Sequence, residues 1–173
     1  ERLALAWAAA RAAGDLLNRG RSGSLTGSTK TTRTDVVTQM DTAAEASVVA
    51  AIVGAFPEDG VRGEEGADRP ATSGVRWIID PLDGTVNYLY GLPGWAVSIA
   101  VEVDGRVEVG VVDVPRYAET YVAVRGQGAV RWSEGMANPL TPNAPSVLAQ
   151  CLVGTGFGYA RSRRIAQART LAQ

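Results

Sequence analysis

Hydrophobic positions change their period along the chain. From the start to about Arg19, Leu3, Trp7, Ala10 and Leu17 recur at helical spacing in an Ala-rich stretch, which predicts a helix packing one face on a sheet. Gly20 to Arg33 has no period and is rich in Gly, Ser, Thr and Lys, the pattern of a mobile loop. Asp35-Val36-Val37-Thr38 alternates enough for a short strand. Thr42 opens a second helix, with Glu45 in capping-box position, an apolar stripe of Val49, Ile52, Val53 and Phe56, and Pro57 to end it. Glu58 to Gly74 is a polar, Gly-rich connection.

Beyond it the pattern turns to β. Val75 to Ile79 is a β-branched and aromatic run that stops at Asp80-Pro81. Ala96–Val103 and Val107–Asp113 are two strands joined at Asp104-Gly105, a hairpin signal. Glu119–Val124 is the next strand of the meander, closed by Gly126-Gln127-Gly128. Residues 138 to 146, rich in Pro and Asn, read as a domain boundary; Cys151-Leu152-Val153 then starts a strand and Arg161 to Gln173 a helix. Two helices followed by an antiparallel meander give an α+β class, with helices packed on a largely antiparallel sheet. The division expected is a domain over 1–145 and the beginning of a second α/β domain over 146–173, incomplete because the sequence ends inside a helix. The start at Glu1-Arg2-Leu3, without Met, is expected to be trimmed.

Composition removes several chemistries. The 173 residues hold no histidine, so a Ser-His-Asp triad, a Cys-His pair and a His-ligated zinc site are all excluded. A hydrolase made from this chain has carboxylates, hydroxyls and the Lys and Arg side chains to work with, and the natural partner of that inventory is a hard cation bound by oxygen. Seventeen basic residues are interspersed with eighteen acidic ones, without the basic face of a nucleic-acid binder. No apolar run approaches the ~20 residues needed to span a bilayer. Cys151 is the single cysteine, so no disulfide forms within the chain and a reducing, cytoplasmic setting is expected.

The chemistry concentrates in Trp77-Ile78-Ile79-Asp80-Pro81-Leu82-Asp83-Gly84-Thr85. A hydrophobic strand delivers Asp80 and Asp83 to its end within one turn, where the two would repel if ionised without a cation. Pro81 fixes the backbone between them, and Gly84 permits a turn that exposes main-chain N–H groups. Asp-Pro and Asp-Gly are also ordinary turn dipeptides. Upstream, Gly63-Glu64-Glu65-Gly66 is a second acidic group, which alone reads as solvated surface. Asp41 precedes the second helix, where an acid also complements the helix dipole. Lys30, in the Gly/Ser/Thr loop, reads first as a solvated side chain and otherwise as a loop contact to the site. Gly154-Thr155-Gly156-Phe157-Gly158 hints at a dinucleotide loop, but Tyr159 holds the place of the third glycine, and the stretch reads as a strand-to-helix connection.

Taken in order, Lys30, Asp35-Val36-Val37-Thr38, Asp41, Gly63-Glu64-Glu65 and Trp77 through Asn87 resemble the inositol monophosphatase family. Ala96 to Ala100, Gly110-Val111-Val112 and Gly126-Gln127-Gly128-Ala129 are also similar to it. The resemblance implies a layered α/β sandwich, of the type shared with fructose-1,6-bisphosphatase, and Mg²⁺-dependent hydrolysis of a small phosphorylated sugar or polyol. By matching positions, it implies that Glu64, Asp80 and the Leu82 carbonyl hold a first Mg²⁺, that Asp80 bridges to a second also bound by Asp83, and that Glu64 faces a hydrated third. Asp41 and Thr85 are implied to position and deprotonate the attacking water, with Glu64 as a further catalytic residue, and the N–H groups of Gly84 and Thr85 to grip the phosphate, with Asp83 also at the substrate. A lithium-sensitive homodimer, with no membrane and no nucleic-acid polymer as partner, is implied as well.

The family draws a further metal-binding aspartate from a Trp-Asp motif in its second domain, and no such motif occurs before Gln173. Val86, Tyr88 and Tyr90-Gly91 also depart from the Thr, Phe and His-Arg pair of better-known animal members. Inositol monophosphate is the leading substrate, with fructose-1,6-bisphosphate, histidinol phosphate and 3′-phosphoadenosine 5′-phosphate as runners-up. A non-catalytic metal- or phosphate-binding remnant is the alternative of another class.

Overall fold

The computed structural model describes residues 1–20, 27–29, 36–144, 147–154, 156–158 and 160–172, with the backbone alone described for 27–29 and 36–38. Lys30 and the rest of the loop expected from Gly20 to Arg33, apart from Gly20 itself and a strand at Gly27–Thr29, lie outside the described residues, as does Asp35 at the start of the expected strand.

Helix α1 spans Arg2–Gly20. Its buried face is Ala6, Ala9, Ala10, Ala13, Gly14 and Leu17, while the expected anchors Leu3 and Trp7 are only half-buried. The small residues explain the Ala-rich composition, because they let the helix axis come close to its neighbours. Strands β1 (Gly27–Thr29) and β2 (Val36–Thr38) form an antiparallel pair of their own. Helix α2, Gln39–Ala55, begins three residues before the expected Thr42 and buries Asp41, Ala44, Glu45, Val48 and Ile52. The capping box is therefore absent: Thr42 and Glu45 both lie within the helix, and the Glu45 carboxylate is used elsewhere.

The remaining strands build an eight-stranded sheet: β3 (Gly60–Gly63), β4 (Asp68–Arg69), β5 (Val75–Asp83), β6 (Ala96–Val103), β7 (Arg106–Val114), β8 (Glu119–Val124), β9 (Gly128–Ser133) and β10 (Met136–Leu140), in the spatial order β10-β9-β8-β7-β6-β5-β3-β4. Every pair is antiparallel except β3 with β5. The α+β class and its largely antiparallel sheet are thus observed. The connection expected over Glu58–Gly74 instead contains β3 and β4, whose Gly-rich, charged residues carry no apolar alternation. Residues 138–140, read as part of a boundary, continue the sheet as an edge strand, where Pro139 is tolerated. No strand forms at Cys151–Val153: the described residues there have no sheet partner, Leu152 is fully exposed, and a single 3₁₀ turn covers Leu148–Gln150. A short helix, α3 (Thr85–Leu89), follows β5, and an exposed helix, α4 (Arg161–Leu171), closes the chain.

One face of the sheet carries the core. Val75, Trp77 and Ile79 of β5, Val97, Ile99 and Val101 of β6, Val111 of β7 and Val122 of β8 point to the same side, under α1 and α2. The opposite face, with Ile78, Ser98, Ala100 and Val112, is half-exposed.

Strand β5 is longer than its apolar run predicts. Its pairing with β6 shifts between Asp80↔Ser98 and Asp83↔Ala96, so three steps on β5 oppose two on β6. Pro81, which has no N–H to give the ladder, lies inside this bulge.

Candidate active site

The pairing of β3 with β5 decides which groups meet. Because β3 runs parallel to β5 in the register Gly63↔Ile79, the residue after β3 lands beside the residue after Ile79. Glu64 thereby reaches Asp80, and its own N–H donates to the Ile79 carbonyl at 3.1 Å. The side chains of Glu64 and Asp80 share a hydrogen bond, and the Asp83 charge acts on the same carboxyl. Burial pushes the Asp80 carboxyl up, the charge of Glu64, the bond to it and the charge of Asp83 push it further, and the Leu82 N–H at 3.2 Å opposes them; the outcome is about 7.

Leu82 has its side chain in the core, 1 % exposed, and its carbonyl at the site. That carbonyl accepts from the Thr85 hydroxyl at 2.9 Å. The same hydroxyl lies 3.4 Å from Asp41 Oδ2, a long contact beside the Leu82 one. Asp41, in the first turn of α2, is buried at 2 % exposure. Gly84 stands at φ 87° in the left-handed region, and a β-carbon there would lie 2.6 Å from the Gly94 carbonyl, so both backbone and space require glycine. As the first residues of a helical turn, Gly84 and Thr85 present N–H groups with no partner inside that turn.

Glu64, Asp80, Leu82, Asp83, Gly84, Thr85 and Asp41 are therefore brought to one end of β5, whereas Lys30 lies outside the described residues. A cavity of about 280 Å³ opens on the half-exposed face between Glu64, Asp80, Ile78, Ser98 and Ala100. A second one, of about 420 Å³, lies between α1 and strands β7 to β9 and holds none of these residues. Among the described residues no three carboxylates close around a common point. An all-oxygen donor set in which Glu64 and Asp83 crowd Asp80 fits a hard divalent cation such as Mg²⁺, which would relieve the repulsion that raises Asp80.

One participant was not recognised from sequence as part of the site. The Glu45 carboxylate, 5 % exposed, accepts the N–H groups of Glu65 at 2.8 Å and Ala67 at 2.9 Å. The available signal was its spacing from Asp41: four residues apart, the two acids share one helix face.

A family model described as the inositol monophosphatase family matches residues 1–173. The chain belongs to the inositol monophosphatase family. It is 40 % identical over 150 residues to the inositol-1-monophosphatase of Mycobacterium leprae, a match covering 83 % of this chain and 51 % of that protein. It is 45 % identical over 93 residues to the histidinol-phosphatase of Chlorobaculum parvum, covering 54 % of this chain and 36 % of that one. The extragenic suppressor protein suhB of Bartonella henselae superposes with a TM-score of 0.85 at 32 % identity, over 97 % of this chain and 65 % of that chain. The chain thus spans about half the length of the curated relatives it matches, or less. The family's fold is the observed one, a mixed eight-stranded sheet with helices on it.

Proposed function

We propose that the protein carrying this chain hydrolyses a small phosphate monoester, with inositol monophosphate as leading substrate, using Mg²⁺ held at the end of β5. The observation that carries the reading is the Glu64–Asp80 pair, with Asp83 beside it and the Thr85 hydroxyl between the Leu82 carbonyl and Asp41. Family membership supports it, as does the name of the Mycobacterium leprae relative.

Glu64, Asp80, the Leu82 carbonyl and Asp83 would hold two to three ions. Bound there, Mg²⁺ supplies charge neutralisation of the phosphate and a lowered pKa for water. The chain's own groups do the rest. With its proton given to the Leu82 carbonyl or Asp41, the Thr85 oxygen offers lone pairs that orient an attacking water. Asp41, buried in the first turn of α2, takes up the proton that the water releases. The N–H groups of Gly84 and Thr85 bind the phosphate oxygens, as helix N-termini do in larger anion sites. Phosphoryl transfer needs mainly positioning and charge stabilisation, so a site without histidine suffices.

Histidinol phosphate is the second substrate reading, favoured by the name of the Chlorobaculum parvum relative. A cytoplasmic, lithium-sensitive homodimer belongs to the same proposal and rests on the family resemblance. Among the described residues no helix is long and apolar enough to cross a membrane. Phosphate release from inositol 1-phosphate and from histidinol phosphate, by the longest polypeptide carrying this chain, tests the reading. Release that requires Mg²⁺, stops with EDTA and falls with Li⁺ supports it; Mg²⁺-independent release, or none from either substrate, refutes it.

A further inference from the structure

Helix α2 touches the site twice. Its Asp41 meets Thr85, and one turn later Glu45 meets the loop that follows β3. That loop, Glu64 to Ala67, has no ladder to hold it: Gly66 stands at φ 116°, and the turn closes through the Gly63 N–H to the Ala67 carbonyl at 2.7 Å. Glu45 reaches into this turn from the helix and accepts two of its N–H groups with its two oxygens, one from each side of Gly66. Such charge-assisted, two-point bonds fix orientation as well as distance. Gly63 makes the approach possible, since a β-carbon there would overlap the Glu45 carboxylate.

We propose that Glu45 is a positioning residue: its buried carboxylate holds the Glu64–Ala67 turn so that Glu64 faces Asp80, and the pair is shaped for a divalent cation before the cation arrives. The inference rests on the reading of Glu64 and Asp80 as a cation site. Two constraints then locate Glu64. On one side its N–H is tied to the Ile79 carbonyl, at the residue preceding Asp80. On the other, the next residue's N–H is tied to α2. Because Asp41 and Glu45 lie on the same helix face, α2 sets the Glu64 side and the Thr85 side of the site in one rigid frame. Without the second tie, the turn would have to be ordered at the moment of binding, at the expense of affinity.

The test uses Mn²⁺ alone, without substrate, so that binding is read separately from turnover. Glu45→Gln keeps the volume and one acceptor but sets an NH₂ against a loop N–H. The expected result is Mn²⁺ binding about 10- to 100-fold weaker than wild type by calorimetry, the range for loss of a group that orients a ligand. The urea midpoint should remain high enough that the variant is fully folded under the binding conditions. Exchange of the Glu65 and Ala67 amide protons should be slow in the metal-free wild type and faster in the variant, with the Gly66 amide as internal reference. Equal Mn²⁺ affinity in a folded Glu45→Gln overturns the positioning role. So do Glu65 and Ala67 amides that exchange in wild type as fast as Gly66, a measurement that needs no variant. Wild type that binds no Mn²⁺, while those two amides are still protected, refutes the cation site and the inference with it; the protected amides would mark Glu45 as a purely structural tie.

Discussion

Near its start β5 meets one buried carboxylate and towards its end it carries another, half-buried, and the two are treated in opposite ways. Close to the start, Asp59 is buried at 1 % exposure and accepts from Arg2 at 2.8 and 3.0 Å, from the Ser73 hydroxyl at 2.7 Å and from the Trp77 indole N–H at 2.9 Å. Burial alone would push its carboxyl up; the Arg2, Ser73 and Trp77 bonds outweigh that and hold it below the usual carboxylate range. At the far end Asp80, only half-buried, has other carboxylates for neighbours and rises to about 7. Burial is therefore not what separates the structural acid from the one proposed for the site. The inventory of groups around it is: Asp59 is supplied by donors that hold α1, β5 and the segment before β3 together, while the charges that act on Asp80 come from Glu64 and Asp83, with the Leu82 N–H as its donor.

Four measurements would break or sharpen this contrast. Asp80→Asn should lower Mg²⁺-dependent phosphate release by about a thousandfold or more, some 4 kcal/mol of lost charge stabilisation, and leave the circular dichroism spectrum unchanged. Release within tenfold of wild type would remove Asp80 from the chemistry. Thr85→Ala should cost about 10²- to 10³-fold in kcat, in the range for a lost proton-transfer group, with Mn²⁺ affinity retained. A parallel loss of Mn²⁺ affinity would make Thr85 a structural support of the Leu82 carbonyl.

On the other side of the comparison, Asp59→Ala should destabilise the fold by about 3 kcal/mol in urea titration, because it leaves the buried Trp77 N–H and the partly buried Arg2 unanswered. Turnover per folded molecule should stay near wild type, and a selective loss of turnover would mean that the two acids are coupled. The smallest effect is in pH. Asp80 has a raised carboxyl in the metal-free fold, so its contribution is fully present below the ordinary carboxylate range and is lost as pH rises through about 7. Metal-free Asp80→Asn should therefore be the more stable protein at pH 8 by about 1 kcal/mol, after allowance for solvent screening, and equal to wild type near pH 4. Asp59 runs the other way: its stabilisation is present at neutral pH and is lost as acid protonates it. A pH-independent difference between Asp80→Asn and wild type would contradict the crowding of charges at this end.

Most helices and strands were legible from periodicity, and the order of the acids named most of the residues that the fold brings together in the candidate site. Strand β5 announced itself through Val75, Trp77 and Ile79, and its terminal Asp80 and Asp83 were visible as carboxylates without histidine to assist them. β3 was not legible, because Gly60, Arg62 and Gly63 have no alternation and the strand exists through its parallel pairing with β5. α3 was hidden for a related reason: five residues make too few turns to show a period. Glu45 was misread as a cap because its spacing from Thr42 suited one, and only the loop lying against it shows what its oxygens bind.

By itself the sequence determined the kind of chemistry open to this protein: oxygen ligands, two acids at one strand end, a glycine turn and a hydroxyl beside them. Residue types and near-neighbour spacing are properties of a chain segment, so they survive without a fold. Which acid faces which was decided only by tertiary structure. Glu64 and Asp80 are sixteen residues apart and meet through the register of β3 on β5, and Asp41 meets Thr85 across forty-four residues through the packing of α2. Asp59 and Asp80 look alike in the sequence. Their opposite protonation behaviour is set by the donors and charges that distant segments bring within a few ångströms, because electrostatic interaction depends on distance and burial in space and not on separation along the chain.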